Sequence, residues 1–367
     1  MSSVFAGLSV HATSNKIPPN SDIEMRDLSP DMRSWPFFDN GSITDFPLLF
    51  GQTLHQRLLK EPFVTAFSIT DSKVSNYSES TFGNVAYSMS HLCTALMSNA
   101  HYENFPVASP LLPKSMRAPV RVIYAFARSA DDLADEGDAP PEERIRALLA
   151  YEAELDRIDQ GQKPESRLFQ DVAATLATYQ LDTLYLRALL SAFRQDVGQT
   201  RYPTFDALLD YCRRSANPVG RIMLSLFGNT SASAFQQSDA ICSALQIINF
   251  LQDVAIDWDK SRIYLPQEDL QRFGVNEEQI AAQRVDDHWR ALMAFEVQRA
   301  RAMMLSGAPL ALHIRGRLGW ELRFIVHGGL RILEKIEAVG YDVFRARPTL
   351  KKRDWLLIFW RALRFAN

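Results

Sequence analysis

Gln246-Ile247-Ile248-Asn249-Phe250-Leu251-Gln252-Asp253-Val254-Ala255-Ile256-Asp257 is the stretch on which the reading of this chain turns. At 100° per residue, Gln246, Asn249, Asp253 and Asp257 fall within about 80° of one another on a helix. The other faces carry Ile241, Leu245, Ile248, Leu251, Val254, Ala255 and Trp258. A helix this apolar belongs in a core, yet one narrow stripe of it is carboxylate and carboxamide. Burying carboxylates without partners is costly, so the stripe implies either a hydrogen-bonded polar network or bound cations.

A second stripe lies upstream, ending in Ala130-Asp131-Asp132-Leu133-Ala134-Asp135-Glu136. Tyr124, Arg128, Asp131 and Asp135 fall within about 60° of one another, on a helix whose other positions include Val122, Ile123, Ala125, Phe126, Ala127 and Leu133. Acids at a helix C-terminus oppose the macrodipole, so positive charge should lie beside them. Neither stripe contains His or Cys, and His101, His288, His313 and His327 are not spaced as ligands. Carboxylates on facing helices favour a hard cation such as Mg²⁺, which takes one or two of them and completes its shell with water and phosphate. Beside Arg128, that chemistry suits a diphosphate leaving group. Arg262 and Tyr264 follow the first stretch closely. Tyr211-Cys212-Arg213-Arg214-Ser215-Ala216-Asn217-Pro218-Val219-Gly220-Arg221 combines cations with a Pro and Gly break that leaves room for a ligand.

The rest of the chain sets the frame. Of 367 residues, 47% are hydrophobic and 23% charged, with a net charge of -3, which excludes a broad basic field for nucleic acid. Three dispersed cysteines make no disulfide framework and no cysteine zinc site. No apolar run approaches the ~20 residues of a membrane span, and the N-terminus does not read as a secretory signal. Residues 1–98 are rich in Ser, Thr, Asn, Phe and Pro without a lasting period, and are expected to be a poorly ordered extension. Residues 99–367 read as one all-α domain, with helices expected at 116–136, 141–158, 165–180, 183–198, 204–227, 238–258, 286–305, 309–338 and 349–364. In residues 343–364, seven Arg and Lys side chains surround Trp355, Phe359 and Trp360. Two readings stand open there, a terminal helix docked on the bundle and a helix in peripheral contact with a membrane.

Residues 101–350 resemble the squalene/phytoene synthase family. Asp131-x-x-x-Asp135 looks like its first aspartate-rich motif and Asn249-x-x-x-Asp253-x-x-x-Asp257 like its second, with Tyr124, Arg128, Gln246, Arg262 and Tyr264 in agreement. The resemblance implies an isoprenoid-synthase helical bundle with a central active-site cavity. It assigns Asp131, Asp135, Asp253 and Asp257 to Mg²⁺. Arg128, Arg213, Arg221, Gln246 and Arg262 go to the diphosphate, and Tyr124, Tyr211, Asn249 and Tyr264 to catalysis. Asn217 and Asn249 are the candidates for holding a water. Within the family, Glu103–Ser109, Ala130–Asp138, Arg213–Gly220 and Asn249–Ala255 are similar to the bacterial hydroxysqualene synthase branch. Gln252 and Ile256 stand where condensing members usually carry an arginine and an acid, which weighs against joining two prenyl diphosphates. The implied reaction converts presqualene diphosphate and water to hydroxysqualene and diphosphate, a step toward squalene and hopanoids. The alternative is a head-to-head prenyltransferase making presqualene diphosphate or phytoene. Mg²⁺ is the expected cofactor, without NADPH, since no GxGxxG turn follows a strand. The cytoplasm is the expected location, with contact at the inner face of the membrane and hand-off to other squalene-pathway enzymes.

Overall fold

Apolar residues recur every three or four positions through nearly all of the described chain, residues 112–135, 139–345 and 347–365 of a computed structural model, and those stretches are helical. The expected N-terminal extension, residues 1–98, lies outside the described residues. In chain order the helices are α1 (Lys114–Asp135), α2 (Pro141–Asp159), α3 (Arg167–Tyr179), α4 (Leu184–Asp196), α5 (Phe205–Ser215), α6 (Asn217–Leu226), α7 (Ala232–Gln252), α8 (Val254–Asp259), α9 (Gln267–Arg272), α10 (Glu277–Ala281), α11 (Asp287–Gly307), α12 (Leu310–His313), α13 (Gly316–Ala338) and α14 (Lys352–Arg364). Among the described residues there is no strand, only a single parallel bridge between Arg201 and Ile263. The fold is all-α, as expected.

Local chemistry sets several helix starts. The side chains of Ser166, Thr204, Ser231, Asn276 and Asp286 each accept a hydrogen bond from a backbone N–H in the first turn of α3, α5, α7, α10 and α11. Pro141 opens α2, followed by Glu142 and Glu143 near its positive end. The stretch 204–227, expected as one helix with a break, is two, parted at Ala216. Pro218 has no N–H to continue the ladder there. Gly220 then lets α6 approach α7, since a methyl group at that position would collide with the side chains of Ser238 and Cys242. The stretch 309–338 is likewise divided, with Gly316 turning the chain at φ +74° into α13. Helices α9 and α10 were not expected. They are six and five residues long, too short for a helical period to stand out in the sequence.

Helix α7 is the axis of the larger core. Ile241, Ala244, Gln246, Ile247, Ile248, Phe250, Leu251 and Gln252 are all buried on it, and its most extensive pairing is with α11. Trp289, Val297 and Met304 of α11 and Ile332 and Leu333 of α13 complete that core. A second core lies under α1, where Phe126, Phe169, Leu189, Leu190 and Phe193 join α1, α3 and α4.

The C-terminal segment docks as a helix. Asp354, 2% exposed, accepts hydrogen bonds from Arg331 Nε at 2.8 Å and Lys335 Nζ at 2.7 Å of α13. Arg361 Nη1 lies 2.5 Å from Glu334 Oε1, Phe359 stacks on Phe324, and Trp355 and Ile358 are buried. Lys352, Arg353, Leu356, Trp360 and Arg364 stay exposed. Among the described residues no helix is long and apolar enough to cross a membrane.

Candidate active site

The first acidic stripe forms on α1 as its spacing predicts. Asp131 is 6% exposed and Asp135, one turn further, is half-buried. Arg128 sits one turn before them, with Nη2 2.6 Å from Asp132 Oδ1 and Nη1 3.8 Å from Asp131 Oδ2. The positive charge needed at this helix end arrives from a distant part of the chain. Arg262 Nη2 donates to Asp135 Oδ1 at 2.5 Å, and Lys260 Nζ lies 3.5 Å from Asp135 Oδ2. Backbone pairing holds that loop in place. Ile263 N donates to Thr200 O at 2.9 Å, Gln267 N to Tyr202 O at 2.9 Å, and Arg201 Nη1 to Ser261 O at 2.7 Å. Arg262 Nη2 also reaches the backbone carbonyl of Asp196 at 3.2 Å, tying α1, α4 and the end of α8 together.

Titration follows from these contacts. Burial alone would raise the Asp135 carboxyl, but the Arg262 hydrogen bond and charge, aided by Lys260, hold it well below the usual carboxylate range. Asp131 has no such compensation. Burial, together with the charges of Asp135 and Asp196, pushes it up to about 6 against the opposing pull of Arg128.

The second stripe survives a break in its helix. The sequence suggests one helix through Asp257, but α7 ends at Gln252 and Asp253 (φ −104°, ψ 12°) separates it from α8. Asp253 N still donates to Asn249 O at 2.9 Å and Asp257 N to Asp253 O at 2.8 Å, so the helical rise continues across the junction. Gln246 is fully buried, Asn249 half-buried, and Asp257 lies one turn beyond Asp253. Burial first, and the Asp253 charge second, push the Asp257 carboxyl well up, with Arg262 and Lys260 opposing. Asp253 is held by Arg347 in a two-point grip, Nε on Oδ1 and Nη2 on Oδ2 at 3.1 Å.

Beside Asp196 and Arg262 lies an aromatic cluster. Tyr264 stacks on Phe250 with centroids 3.8 Å apart and on Tyr202 at 5.6 Å. Tyr211 adjoins all three rings at 5.5–6.3 Å. It is fully buried, and its hydroxyl donates to Asp196 Oδ2 at 2.8 Å. Burial raises the Asp196 carboxyl and pushes the Tyr211 and Tyr264 hydroxyls far up, so both phenols stay protonated.

Most of the expected site residues lie on these elements: Arg128, Asp131, Asp135, Arg262, Tyr211, Tyr264, Gln246, Asn249, Asp253 and Asp257, with Tyr124 half-buried one turn before Arg128. Two depart from the expectation. Arg213 is exposed on α5. Arg221 pairs with Asp239, Nε to Oδ1 at 2.9 Å and Nη2 to Oδ2 at 2.5 Å, with its guanidinium 5.5 Å over the Phe235 ring. Asp239 precedes Asp253 by fourteen positions of α7, about 20 Å at 1.5 Å per residue. The Asn217 carboxamide accepts from Ser243 Oγ at 2.9 Å inside the core. Two residues were missed. Asp196 shares a helix face with the buried Leu189, Ala192 and Phe193, seven, four and three positions earlier, and an acid on an apolar face was the available signal. Arg347 carried no signal beyond being one of many C-terminal cations.

Among the described residues no set of three or more His, Cys, Asp or Glu side chains forms a ready-made metal cage. The donors do suit a cation that takes one or two carboxylates and leaves its other positions to water and phosphate. Asp131/Asp135 and Asp253/Asp257 are all-oxygen pairs, and each contains a carboxyl, Asp131 and Asp257, that the protein's own cations leave under-compensated.

Residues 98–354 match the sequence profile of squalene/phytoene synthase. The chain belongs to the squalene/phytoene synthase family. Members of this family are enzymes that process isoprenoid diphosphates. A hydroxysqualene synthase of Rhodopseudomonas palustris is 33% identical over 264 residues, 71% of this chain and 88% of that protein. A 15-cis-phytoene synthase of Synechococcus elongatus is 33% identical over 265 residues, 68% of this chain and 85% of that protein. The crystal structure of squalene synthase HpnC from Alicyclobacillus acidocaldarius superposes with a TM-score of 0.62 at 38% identity, covering 70% of this chain and 96% of its own.

For a squalene/phytoene synthase, stability and turnover should oppose each other at Asp131. Its folded carboxyl titrates above the ordinary carboxylate range, so the folded chain binds more protons than the unfolded one between pH 4 and 6, and stability falls as pH rises through that window. In EDTA, Asp131→Asn should therefore raise unfolding stability at pH 7, by up to about 3 kcal/mol, with the gain vanishing near pH 4. The same substitution should lower turnover by about 10²–10³-fold. Urea titrations at both pH values check the sign, and a gain that grows toward acid would contradict the assignment.

Proposed function

We propose that the protein converts presqualene diphosphate and water to hydroxysqualene and diphosphate, with Mg²⁺ held by Asp131, Asp135, Asp253 and Asp257. The supply of cations is the observation that carries this reading. Arg128, Lys260 and Arg262 gather at the first stripe, enough for one diphosphate. Arg213 is exposed, Arg221 is engaged by Asp239, and Gln252 presents a buried carboxamide where a guanidinium would serve a second diphosphate.

In this mechanism Mg²⁺, when bound, supplies positive charge to the diphosphate oxygens as the C–O bond breaks. Arg262 and Lys260, oriented by Asp135, meet the same oxygens, and Arg128 approaches from one turn earlier on α1. The electron pair of the broken bond leaves with the diphosphate. The cyclopropylcarbinyl cation rearranges, water adds to it through oxygen, and one proton is released. No reductant is consumed, so NADPH has no part. The Phe250, Tyr264, Tyr202 and Tyr211 cluster closes the side between the stripes and excludes stray water, while Asn249 is the half-buried polar group on the α7 stripe suited to hold the attacking one. The product feeds squalene and hopanoid formation.

The alternative, head-to-head condensation of two prenyl diphosphates, is favoured by the phytoene synthase relatives of equal identity. Product analysis separates the two. Incubation with Mg²⁺ and presqualene diphosphate should give hydroxysqualene whose oxygen comes from ¹⁸O-labelled water, and farnesyl diphosphate alone should give little product. Efficient formation of presqualene diphosphate or phytoene from acyclic diphosphates would establish the alternative.

Substrate and product are membrane-soluble, and we propose that α14 supplies cytoplasmic, peripheral contact with the bilayer. Its exposed Lys352, Arg353, Leu356, Trp360 and Arg364 combine charge with apolar surface, and the Arg364 guanidinium lies 4.1 Å over the Trp360 ring. Co-sedimentation with anionic vesicles should weaken with salt and with Lys352→Glu/Arg353→Glu. Absence of binding at low salt would refute the contact.

A further inference from the structure

Gln252 is 1% exposed at the end of α7, and a buried carboxamide there needs a partner. Its Nε2 donates to the carbonyl oxygen of Pro348 at 2.5 Å. The preceding residue, Arg347, lays its guanidinium fork along both oxygens of Asp253. Two adjacent residues of the segment 347–350 thus grip two adjacent residues at the end of α7, Gln252 and Asp253. The segment is also fixed on either side. Before it, Phe344 packs on Trp289 at 4.6 Å, and Trp289 Nε1 donates to Tyr341 O at 2.9 Å. After it, Asp354 fastens α14 to Arg331 and Lys335. So short a strap, anchored at both ends, can move only locally.

A carboxylate whose two oxygens both face a guanidinium cannot at the same time give those lone pairs to a divalent cation. We propose that Gln252 is a positioning residue and that residues 347–350 form a cation-exchange latch. Gln252 holds Pro348 so that Arg347 occupies Asp253 in the metal-free protein, and a divalent cation entering at Asp253 displaces the guanidinium. The residue at 252 thereby sets the metal affinity of the second stripe through the strap, without touching metal or substrate. This inference rests on Asp253 being a metal ligand.

Mn²⁺ titration of the full chain without substrate, followed by the electron paramagnetic resonance of free Mn²⁺, tests it. Arg347→Gln removes the competitor and should tighten Mn²⁺ binding about fivefold, the worth of a partly exposed ion pair. Arg347→Lys, which cannot form the fork, should give a smaller gain. Gln252→Leu should also tighten binding with Arg347 intact, and should add nothing in the Arg347→Gln background. Hydrogen exchange at 347–350 should rise when Mn²⁺ is added to the unmutated chain. Asp253→Asn separates the two layers of the argument. If it leaves Mn²⁺ binding unchanged, Asp253 is no ligand and the latch falls with that assignment. If it weakens binding but Arg347→Gln brings no gain, the latch alone is overturned.

Discussion

The ion pair between Arg262 and Asp135 is the constraint around which the rest of this structure is arranged. It joins the negative end of α1 to the loop that follows α8, and through the Asp196 carbonyl it reaches the end of α4. A carboxylate at a buried helix C-terminus is unfavourable by both desolvation and dipole, and one guanidinium from 127 positions away removes most of that cost at Asp135. The same guanidinium leaves Asp131 and Asp257 with raised carboxyls. The uneven neutralisation turns a structural contact into a site that attracts further positive charge.

Helix breaks do as much as charges to build it. Pro218 and Gly220 allow α6 to lie close on α7, which fixes the axis on which Gln246, Asn249 and Gln252 are set. The junction at Asp253 ends α7 while keeping enough of the ladder for Asp257 to stay on the stripe. A continuous helix would carry the same residues, but Gln252 would not stand at the end of the element, where Pro348 accepts its hydrogen bond.

Much of this was legible in the sequence. The stripes of α1 and α7 were visible because polar residues at helical spacing stand out against an apolar remainder. Pro218 and Gly220 marked the break that parts α5 from α6. What escaped was non-local. Nothing in the spacing around Arg221 announces Asp239, whose contact depends on how α6 crosses α7. Tyr211 was assigned to catalysis by resemblance, and only the tertiary structure shows its hydroxyl donating to Asp196 and its ring packed against three others. Arg347 was one basic residue among several, and only tertiary structure selects it. Asp196 alone could have been found earlier, as an acid on an apolar helix face.

We propose that the two acidic stripes form one diphosphate site organised by Arg262. Anomalous diffraction from crystals grown with Mn²⁺ and inorganic diphosphate tests it most directly. Mn²⁺ peaks are expected at Asp131/Asp135 and at Asp253/Asp257, with a diphosphate between them in contact with Arg262 and Arg347 withdrawn from Asp253. Peaks elsewhere, or Asp135 and Asp253 still closed by Arg262 and Arg347 with no diphosphate between the stripes, would contradict it.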